Sequence, residues 1–514
     1  MRYYSLFATS GHLTGRARRR TAVTTVLAVG GVLAGMVPAM AAHASVWHRP
    51  LVFHPPRVVY GGVPAGQARG RRFTVVNRSW TFTGRLTFAP DHAARYRARL
   101  IARGRKRIDS GVITVSTTGN IAAFPTTAAS YTAQVNAGVP ASDHATVPLA
   151  GTATAALVQS VSAGGLHTCA VKTDHTLWCW GSNFYGQLGD GSTTNRTAPV
   201  QVSGHATDWA AVAAGASHTC AVRTDHTLWC WGLNGNGEFG NGTTTDSPVP
   251  VQVGGHTADW AAVAAGTGNT CAVKTDHTLW CWGSDFYGQL GDGSTTNRTA
   301  PVQVSGHATD WAAVAAGAAG ASHICAVRAN GTLWCWGDNT YDQLGDGTTT
   351  GSPVPVQVSG HATDWAAVTV GGDHTCAVKT DHTLWCWGLN NDDQLGDGST
   401  TERPVPVQVS GHATDWAAVT AGGIHTCAVK TDHTLWCWGD NTYGQVGDGS
   451  TTTRTVPVQV SGHATDWAAV TAGLFHTCAV KTDGTLWCWG WNPDGQLGDG
   501  TTTSSQVPVH VSGV

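Results

Sequence analysis

The chain has 514 residues, among them 65 Gly, 23 Trp and 14 Cys, with only 12% charged residues and a formal net charge of −2. That length excludes one ordinary globular core unless the chain is built of repeats. The small net charge hides a split: residues 45–155 carry 14 Lys/Arg against 3 Asp/Glu, a net +11, whereas residues 156–514 carry 11 against 29, a net −18. Such asymmetry points to different partners for the two parts.

Residues 1–44 read as a secretion signal, with a retained N-terminal membrane anchor as the alternative. Arg16, Arg18, Arg19 and Arg20 precede an uncharged Ala/Val/Gly-rich run that ends in Ala39-Met40-Ala41 and Ala42-His43-Ala44. Residues 45–70 are Pro/Gly-rich and read as a linker. Residues 71–155 hold five strand-like runs separated by turn residues, which predicts a small, basic, cysteine-free β-sandwich-like domain.

From residue 156 to the end the sequence repeats itself. Cys169, Cys220, Cys271, Cys325, Cys376, Cys427 and Cys478 recur at steps of 51, with one step of 54, and Cys179, Cys230, Cys281, Cys335, Cys386, Cys437 and Cys488 each follow ten residues later. Within a unit, "WAAVAAG", "HTCAV", "TLWCWG" and "PVQV" are short apolar runs bounded by Gly, Asp, Asn, Thr and Pro. They predict four strands per unit and no helix. Seven units of four strands give an all-β seven-bladed propeller over 156–514, with a solenoid as the alternative. The first unit lacks the "GHATDW" of later copies, so a C-terminal strand can lie beside the N-terminal one where the ring closes, with the allocation of strands to blades left open.

The recurring Ala163-Gly164, His167, Trp180-Gly181, Asn183 and Gly186-Gln187-Leu188-Gly189-Asp190-Gly191 resemble the regulator of chromosome condensation repeat family. The resemblance covers about residues 157–514 and implies seven blades. Its founding activity is nucleotide exchange on a small nuclear GTPase, through a protruding β-wedge for which this chain has no matching insertion. The signal-like N-terminus points instead to a secreted bacterial type, one precedent for which inhibits β-lactamases.

The cysteine spacing fixes a hairpin. A three-residue loop, Thr173-Asp174-His175, places Cys169 opposite Cys179, with His175 at the left-handed position of a G1 bulge. His226, His277, Gly331, His382, His433 and Gly484 take that place in the other units. Each pair is therefore expected as an intra-blade disulfide. The alternative, zinc held by His167, Cys169 and Cys179, lacks its His in the third unit, where Asn269 stands. The row of His before each first Cys is expected to hydrogen-bond neighbouring backbone.

The blades differ mainly in a quartet after each "CWG". Phe184, Tyr185, Phe286, Tyr287, Tyr341, Tyr443 and Trp491 all lie there, and they are the candidate binding residues on one rim. The loop before each His varies too, with Leu166, Asp373, Ile424 and Leu474-Phe475. No catalytic set, metal site or cofactor motif stands out. The expected function is an exported, monomeric binding scaffold for an extracellular protein or cell-wall glycan. It has no nucleic-acid partner and no membrane span in the mature chain. A secreted enzyme inhibitor, a wall-polymer hydrolase or lyase, and a guanine-nucleotide exchange regulator are the alternatives.

Overall fold

The computed structural model describes residues 157–514 apart from positions 256 and 319; before them it gives only the backbone of strand segments. Among those segments Arg69–Asn77 pairs with Trp80–Phe88, and Ala129–Val135 lies between Val112–Thr117 and Ala145–Gly151. The expected signal at 1–44, the linker at 45–70 and the packing of 71–155 as a separate domain lie outside the described residues.

Residues 157–514 form seven four-stranded antiparallel sheets, each made of consecutive strands. Blade 1 runs through Val158–Ala163, His167–Lys172, Leu177–Gly181 and Arg196–Gln201. Blade 7 ends with Leu486–Gly490 and Ser505–His510. First strands of neighbouring blades touch, so they line the axis. The ring closes where the Ala163 amide donates to Thr471 Oγ1 at 3.1 Å and the Leu474 amide to the Gly165 carbonyl at 3.3 Å. Closure rules out the solenoid.

The strand allocation at closure, which the sequence leaves open, is plain in the sheets. Ser505–His510 is the outermost strand of blade 7, and Val158–Ala163 the innermost of blade 1; they share no sheet. Each repeat supplies all four of its own strands, so none is left to exchange. The seam is instead sealed by face packing of Val158, Ala170 and Trp180 on Cys478, Leu486, Leu497 and Val511.

Strand alternation explains why one unit cannot stand alone. Successive side chains point to opposite faces. Leu177 and Cys179 pack forward on Trp209, Ala221 and Trp231 of blade 2, while Ala170 and Trp180 pack back on blade 7. Every core therefore lies between two blades. Burying one indole such as Trp180 removes about 200 Å² from water, an upper estimate of about 5 kcal/mol. Its N–H is satisfied by the Gln496 carbonyl of the preceding blade at 2.9 Å, and Trp231 repeats this on Gln187 at 3.0 Å.

The hairpins follow the predicted register. Cys169 pairs with Cys179, and all seven cystines form, with Cα atoms 4.0 to 4.1 Å apart. His175 sits at φ 61° and Gly331 at φ 77°, the left-handed position that the three-residue loop requires. Because each pair of sulfurs is bonded together, the zinc alternative fails.

The buried His row has a different partner from the one expected. His167 Nε2 meets Thr219 Oγ1 of the next blade at 2.8 Å, and His476 closes the circle on Thr168 at 2.9 Å. The repeat offers a Thr hydroxyl across each interface, and that hydroxyl in turn donates to the carbonyl below, as Thr219 does to Gln187. The belt is broken once. Asn269 replaces the His of blade 3, and Ile324 replaces the Thr that would face it in blade 4. Both partners change at the same interface.

Candidate functional site

Gly181 ends the third strand opposite His167, which starts the second. The quartet and the loop before the His therefore emerge at the same end of every blade. The Ser182 amide donates to the Leu166 carbonyl at 2.9 Å, and Trp491 does the same to Phe475 at 2.9 Å. The two variable zones are one continuous face.

Each quartet hangs on a fixed frame. Asn183 is fully buried; its Nδ2 donates to the Ser192 and Thr194 carbonyls and its Oδ1 accepts the Leu188 amide. The amide of the fourth residue is held by a Gln, as Tyr185 is by Gln187 Oε1 at 3.0 Å, or in blade 2 by Glu238. Positions one, three and four are left to vary without disturbing the blade. In blade 3 the Asn becomes Asp285. Burial, helped by the Asp292 charge, pushes its carboxyl up to about 6.

The candidate aromatics are on this face. Phe184 and Phe286 are 69% and 71% exposed, and Tyr185, Tyr287, Tyr341 and Tyr443 are also exposed. Trp491 is half-buried because it packs with Phe475 and Tyr443, centroid to centroid at 5.7 Å from each. The structure shows no single cluster of the seven: among the described residues, ring contacts on this face join only Tyr443, Phe475 and Trp491.

Sequence reading missed the acids of the same face. Asp338 and Asp373 lie together across blades 4 and 5, and burial plus Asp338 raise Asp373 to about 6. Asp392 faces Asp440 across blades 5 and 6, and burial plus Asp440 raise it as well. No Lys or Arg occurs in any quartet or in any loop before a His. The Lys and Arg of the propeller are engaged elsewhere, as Arg196 is with Asp190, Lys274 with Asp259 and Lys172 with the Gly513 carbonyl. The signal was available as the Asp content of the quartets in units four to six.

Two further acids carry strain. Asp342 (φ 65°) and Asp393 (φ 61°) hold the left-handed position that Gly186, Gly237, Gly288, Gly444 and Gly495 take in the other blades. Both are nine-tenths buried, and Oδ1 of each has no hydrogen-bond partner. Asp342→Gly and Asp393→Gly are each expected to stabilise the fold by about 1–2 kcal/mol, because a left-handed Cβ and an unpaired carboxylate are removed together. Burial raises both carboxyls. Their cost is therefore full above the raised pKa, and the gain shrinks as pH falls toward the ordinary carboxylate value. Urea unfolding of the two variants at neutral and acid pH measures this; an unchanged midpoint at neutral pH refutes it.

A closed ring with a repeated frame and one variable face defines a propeller that presents changing side chains at one end of its blades. The chain belongs to the RCC1-like domain family: that family model matches residues 207–514, and regulator of chromosome condensation repeat models match residues 174–222 and 158–187. It is similar to the ultraviolet-B receptor UVR8 of Arabidopsis thaliana, 31% identical over 68% of this chain and 80% of the receptor. It is 28% identical to the E3 ubiquitin-protein ligase HERC2 of Homo sapiens, over 65% of this chain but 7% of the ligase. In fold it is similar to Prp20p of Saccharomyces cerevisiae, with a TM-score of 0.59 and 19% identity, covering 70% of this chain and 88% of that one.

These relatives correct several expectations. They are eukaryotic, and they are a light receptor, a ubiquitin ligase and a protein described by its binding to Gsp1p and histones. They overturn the secreted bacterial type, the signal peptide with its extracellular or cell-wall location, and the extracellular protein or glycan as partner. The physical reason is that an apolar, Arg-led N-terminus and paired cysteines are permissive signals. Each is compatible with export without specifying it.

Proposed function

We propose that the propeller is a non-catalytic docking module that holds a small nuclear GTPase, or a protein assembled with one, on the quartet face. The observation that carries this reading is the division of labour within each repeat: a buried Asn, Gln, Trp and cystine frame beneath side chains that change from blade to blade. The description of Prp20p as binding Gsp1p and histones supports it. So does the regulatory activity that the family resemblance implies.

The test is gel filtration and calorimetry of the full chain with purified Gsp1p. A saturable complex is expected, weakened by at least about tenfold in Phe184→Ala/Phe286→Ala, since exposed aromatic anchors dominate such interfaces. Both side chains are surface-exposed, so the variant keeps its fold. Absence of any complex at micromolar concentrations, or binding indifferent to the variant, overturns the proposal.

A further inference from the structure

The quartet face is not uniform around the ring. From blade 4 to blade 7 it runs through Asp338, Asp373, Asp392 and Asp440, and then into the Tyr443–Phe475–Trp491 trio. Asp338 acts on Asp373 across one blade interface, and Asp440 on Asp392 across the next. The three rings lie 5.3 to 5.7 Å apart, two of the three pairs edge to face. A cation is attracted to the face of an aromatic ring, and Tyr443, the exposed member of the trio, offers one at this corner. Carboxylates crowded without a cation and an aromatic corner beside them ask for the same chemistry.

A second observation lies under the arc. In blade 6, Gln445 Nε2 donates to Asp440 Oδ2 at 2.6 Å, so the amide of this Gln is directed at the first residue of its quartet. Gln343 and Gln394 occupy the same place in blades 4 and 5. Both are fully buried, and Nε2 of each has no partner. An unpaired buried donor carries a desolvation cost of about 1–3 kcal/mol that an arriving acceptor relieves. A peptide brings such acceptors in its carbonyls.

We infer that the arc of Asp338, Asp373, Asp392, Asp440, Tyr443, Phe475 and Trp491 binds an arginine- or lysine-rich segment of a protein partner. The cationic heads meet the carboxylates of Asp338, Asp373 and Asp392, the buried Asp440 adds its charge from beneath, one head stacks in the aromatic corner, and backbone carbonyls face the two Gln amides. The inference rests on the docking reading of the same face and names the chemistry of what docks there. A net charge of −18 over residues 156–514 draws such a segment in from solution.

The probe is a nine-residue polyarginine peptide titrated into the full chain, followed by calorimetry and by the fluorescence of Trp491 relative to Trp491→Phe. Two quadruple variants with the same change of net charge separate the arc from bulk attraction. One is Asp338→Asn/Asp373→Asn/Asp392→Asn/Asp440→Asn. The other, at the opposite end of the blades, is Asp225→Asn/Asp276→Asn/Asp381→Asn/Asp432→Asn. The second set is structurally tolerated, because Asn330 already makes the same turn bond to Thr332 in blade 4, at 3.0 Å.

The arc variant is expected to weaken binding by at least about tenfold and the hairpin variant by less than about twofold. Equal losses in the two variants overturn the inference, since they show attraction to net charge alone. Trp491→Phe is expected to keep the affinity and Trp491→Ala to lose it; if Ala binds as tightly as Trp, the aromatic corner is rejected. A Gsp1p complex that survives in the arc variant leaves the docking proposal standing and removes only this one.

Discussion

Reduction of the seven cystines is expected to lower the unfolding free energy by about 2–3 kcal/mol per bridge, which for all seven together takes the propeller past its margin of stability. Each bridge spans ten residues within one hairpin, so each restricts the unfolded chain locally. The total is smaller than seven independent terms, because a repeat array shares its interfaces. Every cysteine is 0% exposed. Cys169 and Cys179 lie in the core shared with Trp209 and Trp231 of blade 2. A reductant therefore reaches the sulfurs only when blades part.

Two measurements check this. Native protein in mild reductant is expected to keep its cystines, as read by alkylation and mass spectrometry. Protein reduced in denaturant is expected to refold poorly, with a much lower urea midpoint. The pair substitution Cys220→Ala/Cys230→Ala isolates one bridge and is expected to cost about 2–4 kcal/mol, including the lost sulfur packing. An unchanged midpoint after full reduction sinks the prediction.

Acid is expected to unfold the protein well above the range set by its carboxylates. Burial holds the belt histidines in their neutral form: His167, His323, His374 and His425 are pushed down to about 3, and His218 and His476 to about 4. Neighbouring His rings add repulsion at His167, His374 and His425. The unfolded chain titrates near 6.5, so between that pH and about 3–4 it binds protons that the folded chain refuses. Stability is complete above pH 6.5 and falls as pH drops through this window, by about 1.4 kcal/mol per pH unit for each histidine. Six act together, so urea midpoints measured from pH 7.5 to 4.5 should fall steeply. A flat profile over that interval rejects the account.

The broken joint gives an internal control. Asn269→His alone sets an imidazole nitrogen against Ile324, and Ile324→Thr alone removes apolar packing from the buried side chain opposite Asn269; each is expected to destabilise by about 1–3 kcal/mol. Together they rebuild the pair that His218 and Thr270 make at 3.0 Å in the preceding joint. The double variant should recover more than the sum of the singles, with a coupling of about 1–2 kcal/mol. It should also add one more proton to the acid transition.

Much of the fold is legible in the chain's own repeats. The 51-residue step marks the blades, the ten-residue cysteine spacing sets the hairpin register, and His175 and Gly331 at equivalent places mark the left-handed turn. These are local matters, set by backbone sterics and by side-chain alternation, and a single sequence carries them. The inference from cystines and an Arg-led N-terminus to an extracellular partner did not hold, because both report what a compartment permits and neither reports what a surface meets.

The repeated units by themselves determined that the chain is a seven-bladed propeller with stapled hairpins and variable quartets. Only the tertiary structure decided what those units do to one another. Thr219 answers His167 from 52 residues away, Trp231 finds its carbonyl on Gln187, and Asp373 meets Asp338 across a blade boundary. Each of these partners belongs to a neighbouring blade of the ring, where proximity is fixed by closure and core packing and not by distance along the chain.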